Sequence, residues 1–323
     1  MVVPVCPTSA LSLNFGFSSI INSPRYNIMS TTTDSPQPAQ DANMPLPHPN
    51  SLVTTFSRAL TSFQSSSDAL RILCTLPHAS NTPAPRQPSH PVRDLIILDS
   101  SFNPPTLAHA GMARSALRAH GSSRLMLLLS VNNADKAPKP ASFPIRLGMM
   151  EALGRELVSE VEGLEVDVAV TTMPFFHDKA RAIVQSGFYG EVTQTFLAGF
   201  DTLVRIFNPK YYGEGGMHLA LGPFFNTAKV RVTTRPDETW GGVEEQRAWL
   251  TGAKLGEVGG DDAWVGRVEI VEGDEGGEGV SSSRVREVVK NGDLKELDGL
   301  VSEEIKGWIE REGLYREVKD ASL

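Results

Sequence analysis

Ser101-Phe102-Asn103-Pro104-Pro105-Thr106-Leu107-Ala108-His109 divides two segments of different period. Before it, Leu95-Ile96-Ile97-Leu98 is an unbroken apolar run of strand length, which reads as a short buried strand. After it, Leu107, Met112, Ala113, Ala116 and Leu117 recur at helical steps, so a helix opens near Thr106. Strand, tight Pro-containing turn and helix is the arrangement in which an α/β protein aims backbone N–H groups at a phosphate. His109 stands about one turn into that helix, where its imidazole can face the occupant of the turn. The same residues also suit a plain Pro-rich βα turn followed by a helix with a surface histidine.

A second stretch, Val280-Ser281-Ser282-Ser283-Arg284-Val285-Arg286, opens another helix with hydroxyls at its N-terminus and two arginines in its first turns. Hydroxyls, helix-end N–H groups and guanidinium together suit a polyphosphate. A serine N-cap with solvated arginines would read the same way. Taken together, the two stretches resemble the nicotinamide-mononucleotide adenylyltransferases of the nucleotidyltransferase superfamily, as a divergent fungal-type member. That family opens with Gly-Ser-Phe-Asn-Pro and a His-x-x-His or Thr-x-x-His step, and closes with Ile-Ser-Ser-Thr-x-x-Arg. Thr106 and His109 fit the Thr-x-x-His form, and Val280 to Arg286 fit the closing motif with Ser283 in the threonine place.

The resemblance implies adenylyl transfer from ATP, with Mg²⁺ carried on the phosphates. It implies ATP contacts from Ser101, Phe102, Asn103, Thr106, His109, Ser282, Ser283 and Arg286, of which His109 and Arg286 are the expected catalytic pair. It extends from about Asp94 to Arg316 and departs from the family in three places. Ser100 stands where the family has glycine, Ala108 stands where the His-x-Gly-His form has glycine, and no tryptophan lies where a nicotinamide-stacking ring is expected. Phe175 and Phe176 are the nearest aromatic candidates, and a core role suits them equally.

The acceptor side is thinner. Ser130-Val131-Asn132-Asn133-Ala134-Asp135-Lys136, with Lys139 and Arg146 beyond, resembles the family's Ser-Pro-Val-Asn-x-x-Tyr-x-Lys segment of the mononucleotide site. Asn132 and Lys136 have the chemistry to hold ribose hydroxyls and phosphate. Leu197-Ala198-Gly199-Phe200-Asp201 resembles the family's Gly-x-Asp. Gly199 allows close backbone approach, and Asp201 reads equally as a ribose or base acceptor and as a helix N-cap. Arg235, after Thr233-Thr234, completes the expected mononucleotide set. Transfer to another acceptor such as phosphopantetheine, a CTP-dependent reaction, and a nucleotide-binding regulator that hydrolyses or senses ATP remain alternatives.

Composition sets the frame. The 323 residues are 40% hydrophobic, enough for one large α/β domain or two small ones, and no apolar run nears the ~20 residues of a membrane span. Cys6 and Cys74 suggest neither a disulfide framework nor a metal site, which fits a reducing compartment, cytoplasmic or nuclear. The net charge of −8 argues against a broad nucleic-acid surface. It is also local, since residues 237–278 carry twelve acidic side chains against Arg247, Lys254 and Arg267. The resemblance implies ATP and a mononucleotide as partners, while composition speaks against nucleic acid and membrane, and a homo-oligomer stays open.

Residues 1–50 are Ser/Thr/Pro-rich without Lys or Glu and read as a disordered arm. Their acid-poor start also resembles a mitochondrial transit peptide, with Arg25 as its one positive charge. Residues 51–92 read as an amphipathic helix or helix pair over 51–76, from Leu52, Phe56, Leu60, Phe63, Leu70 and Leu73, followed by a Pro-rich linker. Residues 93–318 read as the nucleotidyltransferase domain. Strands are predicted at 94–99, 124–130, 164–172, 194–199, 229–234 and 266–271. Helices are predicted at 106–119, 144–158, 176–186, 201–206, 244–253, 282–290 and 302–312. That alternation implies a Rossmann-like, doubly wound parallel sheet whose ligands sit beyond the carboxyl ends of the strands.

Overall fold

The structure, a computed structural model, describes residues 49–121, 124–131, 140–213, 216–235, 240–251, 254–273 and 279–317. The expected arm at 1–50 therefore lies almost wholly outside the described residues, as do Asn132 and Lys136. Among the described residues no helix is long and apolar enough to cross a membrane.

Seven strands form one sheet in the order β1-β4-β3-β2-β5-β6-β7. They are β1 (Leu70–Leu76), β2 (Asp94–Asp99), β3 (Arg124–Ser130), β4 (Glu165–Thr171), β5 (Thr193–Gly199), β6 (Ala228–Thr233) and β7 (Val268–Val271). All neighbours pair in parallel except β1, which runs antiparallel on the edge of β4. The chain moves outward from β2 through β3 to β4, then returns to β5 on the other side of β2. The switch point thus lies between β2 and β5, where open α/β sheets bind ligands.

Alternation along each strand feeds two cores. Ile96 and Leu98 point to the face covered by α1 (Pro49–Gln64), α2 (Leu107–His120), α3 (Phe143–Glu160), α9 (Ser282–Asn291) and α10 (Glu303–Arg311). Leu95 and Ile97 point to the face covered by α4 (Phe176–Gln185), α5 (Phe200–Ile206), α6 (Gly216–Thr227), α7 (Val243–Thr251) and α8 (Lys254–Glu257).

Three sequence expectations are corrected. The helix read over 51–76 ends at Gln64, and Leu70–Leu76 is a strand. A β-bulge between Ile72 and Cys74 reverses the alternation, so Leu70 and Ile72 face one core while Leu73, Cys74 and Leu76 face the other. That break hides the period of two and makes Leu70 and Leu73 look like a helical step. The Pro-rich stretch after it is bound to the sheet: Thr75 N–H donates to Ala84 O (3.1 Å), and Arg86 N–H donates to Thr75 Oγ1 (2.9 Å). Finally, α6 was not anticipated, because Pro223 lies inside it; the last strand also begins only at Val268, after a 3₁₀ turn.

At the end of the sheet opposite the switch point, Arg124 and Asp167 form a buried bidentate pair at 2.7 and 2.8 Å. Thr75 Oγ1 and the Tyr189 hydroxyl each donate to Asp167 at 2.6 Å, so one carboxylate ties β1, β3 and β4 to the loop before β5. Burial pushes the Asp167 carboxyl up, against the opposing pull of Arg124. Asp167→Asn keeps the shape but leaves the Arg124 charge without that counter-ion. A loss of about 3 kcal/mol in unfolding free energy is expected from denaturant melts.

Candidate active site

The turn from Ser100 to Thr106 leaves the carboxyl end of β2 beside the switch point. Phe102 takes φ +44°, a conformation uncommon for a side-chain-bearing residue, and its ring is fully buried in the α2/α3 core. Burying that ring holds the backbone of the turn in place, with the ring centroid 5.4 Å from that of His109.

His109 caps its own helix. Its Nδ1 accepts the Thr106 backbone N–H at 3.1 Å, as a glutamate does at this position of a capping box. Nε2 lies 2.9 Å from Ser100 Oγ. Burial lowers the His109 pKa to about 4, so the ring is neutral at pH 7, and with Nδ1 accepting from Thr106 its proton sits on Nε2. Unfolded His109 takes up a proton near pH 6.5 and folded His109 only near pH 4. Its contribution to stability is therefore complete above pH 6.5 and is lost as pH falls toward 4. His109→Asn, whose oxygen can still accept from Thr106 N–H, is expected to flatten this loss; denaturant midpoints at pH 6.5 and 4.5 check it.

Two N–H groups at the start of α2 are taken up within the protein: Thr106 N–H is held by His109, and Leu107 N–H donates to Leu300 O at 2.9 Å. Thr106 positions His109.

The two motifs meet across 170 residues of chain. Ser282 Oγ donates to Pro104 O at 2.7 Å, and Arg286 Nη1 donates to Asn103 O at 2.8 Å. Arg286 Nη2 also donates to Ser283 Oγ at 3.0 Å. Ser281 is the N-cap of α9, accepting from Arg284 N–H at 3.1 Å. Ser101 is exposed beside them, and Asn103 is fixed by the Tyr315 hydroxyl at 3.0 Å. The closing helices are pinned in turn by Trp308, whose ring lies where a Cβ on Gly148 of α3 would fall, at 2.6 Å.

Arg146 was assigned only to the margin of the mononucleotide segment. It is buried on α3, donating to Ala141 O (2.9 Å) and to Ser101 O (3.4 Å). Burial lowers its pKa and the neighbouring Arg286 lowers it further. Arg146 and Arg286, bonded here to carbonyl and hydroxyl oxygens, bring two positive charges to this wall of the turn. On the other face, Asp99 ends β2 in a buried ion pair with Lys179 of α4. Burial pushes the Asp99 carboxyl up, and Lys179 opposes that shift. Among the described residues, no three His, Cys, Asp or Glu side chains form a metal-binding group.

Of the expected acceptor residues, Gly199, Asp201 and Arg235 lie at or just past the carboxyl ends of β5 and β6. Gly199 caps α5, and a Cβ there would meet Asp201 Oδ1 at 3.0 Å. Asp201 is thus a first-turn residue rather than the N-cap; Arg205 lies 3.3 Å from its carboxylate. The Arg235 side chain is exposed, while its backbone is clamped by buried Gln246 through bonds of 3.0 and 2.8 Å. Phe176 packs on Phe196 with centroids 5.0 Å apart. Phe175 is 36% exposed, stacked on His177 at 5.5 Å and tilted against Tyr211 at 6.0 Å.

A Schizosaccharomyces pombe (strain 972) protein provisionally named as a nicotinamide mononucleotide adenylyltransferase is 34% identical over 254 residues, 77% of this chain and 92% of that one. The chain belongs to the nicotinamide mononucleotide adenylyltransferase family. Its members are nucleotidyltransferases, and this chain is an enzyme of that class. A Cereibacter sphaeroides protein, provisionally named nicotinate-nucleotide adenylyltransferase, is 31% identical over 34% of this chain and 55% of its own. Among solved structures, Plasmodium falciparum nicotinic acid mononucleotide adenylyltransferase matches 69% of this chain and 97% of its own. That match has 15% identity and a TM-score of 0.48. No family model matches the chain.

For this family member, sequence reading missed Ser100 as the partner of His109, Arg146 as a wall of the site, and Tyr315 as a brace for Asn103. Their signals were position alone: a serine one residue past a strand, an arginine in a first helical turn, a tyrosine after the last helix.

Proposed function

We propose that this chain transfers the adenylyl group of ATP to nicotinamide mononucleotide, giving NAD and pyrophosphate. The observation that carries the reading is the docking of the closing motif on the opening turn through Ser282–Pro104 and Arg286–Asn103. That contact brings hydroxyls, guanidinium and a neutral imidazole around one concave turn at the sheet's switch point, the donor set a triphosphate needs.

In this reading a phosphate oxygen of the mononucleotide attacks the α-phosphorus of ATP in line. The bond from the α-phosphorus to the bridging oxygen breaks, and pyrophosphate leaves with that oxygen's electron pair. The nucleophile is already ionised, so catalysis rests on positioning and on charge stabilisation at the leaving oxygens. Ser101, Asn103, Ser282, Ser283 and Arg286 hold the triphosphate, Arg146 adds positive charge behind Ser101, and His109 supplies a neutral donor. Thr106 sets that donor's tautomer and Phe102 holds the turn.

Mg²⁺ supplies further neutralisation when it arrives with ATP. The turn offers hydroxyl and cationic groups and Asp99 is committed to Lys179, so these residues would leave the ion to be held by the phosphates it arrives with. Gly199, Asp201 and Arg235, with Asn132 and Lys136, are assigned to the mononucleotide. Exposed Phe175 is assigned to its ring, and Phe176 is excluded from that role by its packing on Phe196.

Purified protein incubated with ATP, Mg²⁺ and a panel of mononucleotides tests this. Pyrophosphate release that depends on nicotinamide mononucleotide, with NAD as product, is expected. Pyrophosphate released with phosphopantetheine or from CTP, or ATP hydrolysis without any acceptor, overturns it.

A further inference from the structure

The end of β2 sends two successive side chains to opposite faces. Asp99 turns toward α4 and Lys179, and Ser100 turns toward α2, where its Oγ lies 2.9 Å from His109 Nε2. The direction of the second bond follows from its neighbours. Thr106 N–H donates to Nδ1, and Thr106 Oγ1 lies 2.8 Å from the same nitrogen, so a neutral ring carries its proton on Nε2 and donates it to Ser100 Oγ. Having accepted that hydrogen bond, the serine has its own O–H to direct elsewhere, and Ser100 is half-buried at the mouth of the turn. A hydroxyl that accepts one bond is a stronger donor in the next. Glycine, which the family motif has at this position, can supply no such group.

We propose that Ser100 is a phosphate-contacting residue of this chain: its hydroxyl, polarised by His109 behind it, donates to an oxygen of the ATP triphosphate. The chain of donors then runs from Thr106 N–H through His109 to Ser100 and the substrate. The proposal rests on the reading that this turn binds ATP, and it adds the orienting of Ser100 to the part that His109 itself plays in the turn.

The test compares Ser100→Ala, Ser100→Thr, His109→Ala and the Ser100→Ala/His109→Ala double variant. Turnover is measured with ATP and nicotinamide mononucleotide, and ATP binding by calorimetry. Losing one hydrogen bond to a charged oxygen is expected to lower kcat about tenfold in Ser100→Ala and to weaken ATP several-fold. Ser100→Thr keeps the hydroxyl and is expected to stay within about twofold of wild type. The double variant is expected to be no slower than His109→Ala, since both substitutions cut one chain. In ¹⁵N–¹H spectra of the full chain, the His109 Nε2–H signal should persist in wild type and Ser100→Thr and exchange away in Ser100→Ala.

Unchanged or faster turnover in Ser100→Ala, or losses that multiply in the double variant, overturns the proposal. If wild type forms no NAD, the proposed function falls while calorimetry still judges Ser100. Weaker ATP binding by Ser100→Ala then supports the contact, and equal binding overturns it.

Discussion

His109→Ala is expected to lower kcat for adenylyl transfer by roughly 10²–10³-fold, the cost of removing one preorganised donor at a site of developing charge, and to change the ATP KM much less. The asymmetry follows from the neutral ring. A charged histidine would attract the triphosphate in the ground state and the transition state alike, so its loss would appear largely in KM. His109 is kept uncharged near neutral pH by burial, with its proton fixed on Nε2 by Thr106. A neutral donor gains most when negative charge shifts to the oxygens of departing pyrophosphate. The same ring predicts a flat kcat between about pH 6 and 8, because its pKa of about 4 lies below that window. Steady-state kinetics across that range decide the matter. An intact kcat with a raised KM would make His109 a binding group and remove it from the chemistry.

How far the sequence was legible depended on whether a signal was local. The strand at Asp94–Asp99 and the helix at Leu107–His120 were readable because unbroken apolar runs and helical steps report burial directly. The strand at Leu70–Leu76 was not, because its bulge removes the alternation that defines a strand. In the site, the Thr106–His109 step is local, whereas the Leu107 N–H is taken up by Leu300 O, a partner far along the chain that no local pattern encodes. Arg146 and Tyr315 act through contacts with Ser101 and Asn103, between 45 and 212 positions away. Asp201 reads equally as N-cap and as acceptor, and the helix settles the first question by starting two residues earlier, with Gly199 as the cap.

Arg286→Lys is expected to weaken ATP use by about tenfold or more while leaving AMP binding far less affected. The guanidinium now engages two groups at once, Asn103 O at 2.8 Å and Ser283 Oγ at 3.0 Å, one from each motif. A planar fork can hold both motifs and still present N–H groups to two phosphate oxygens, whereas a lysine ammonium is a single point on a flexible stem. AMP lacks the outer phosphates, so a loss confined to ATP assigns Arg286 to the β- and γ-phosphates. Equal losses for ATP and AMP would instead mean that Arg286 merely steadies the turn through Asn103. A double-variant cycle separates the two further. If Arg286 and His109 act on one triphosphate, as proposed, the combined loss in kcat/KM of Arg286→Ala and His109→Ala should fall short of the product of the single losses. Strictly multiplicative losses would show two independent residues and dissolve the single site that joins the opening and closing motifs.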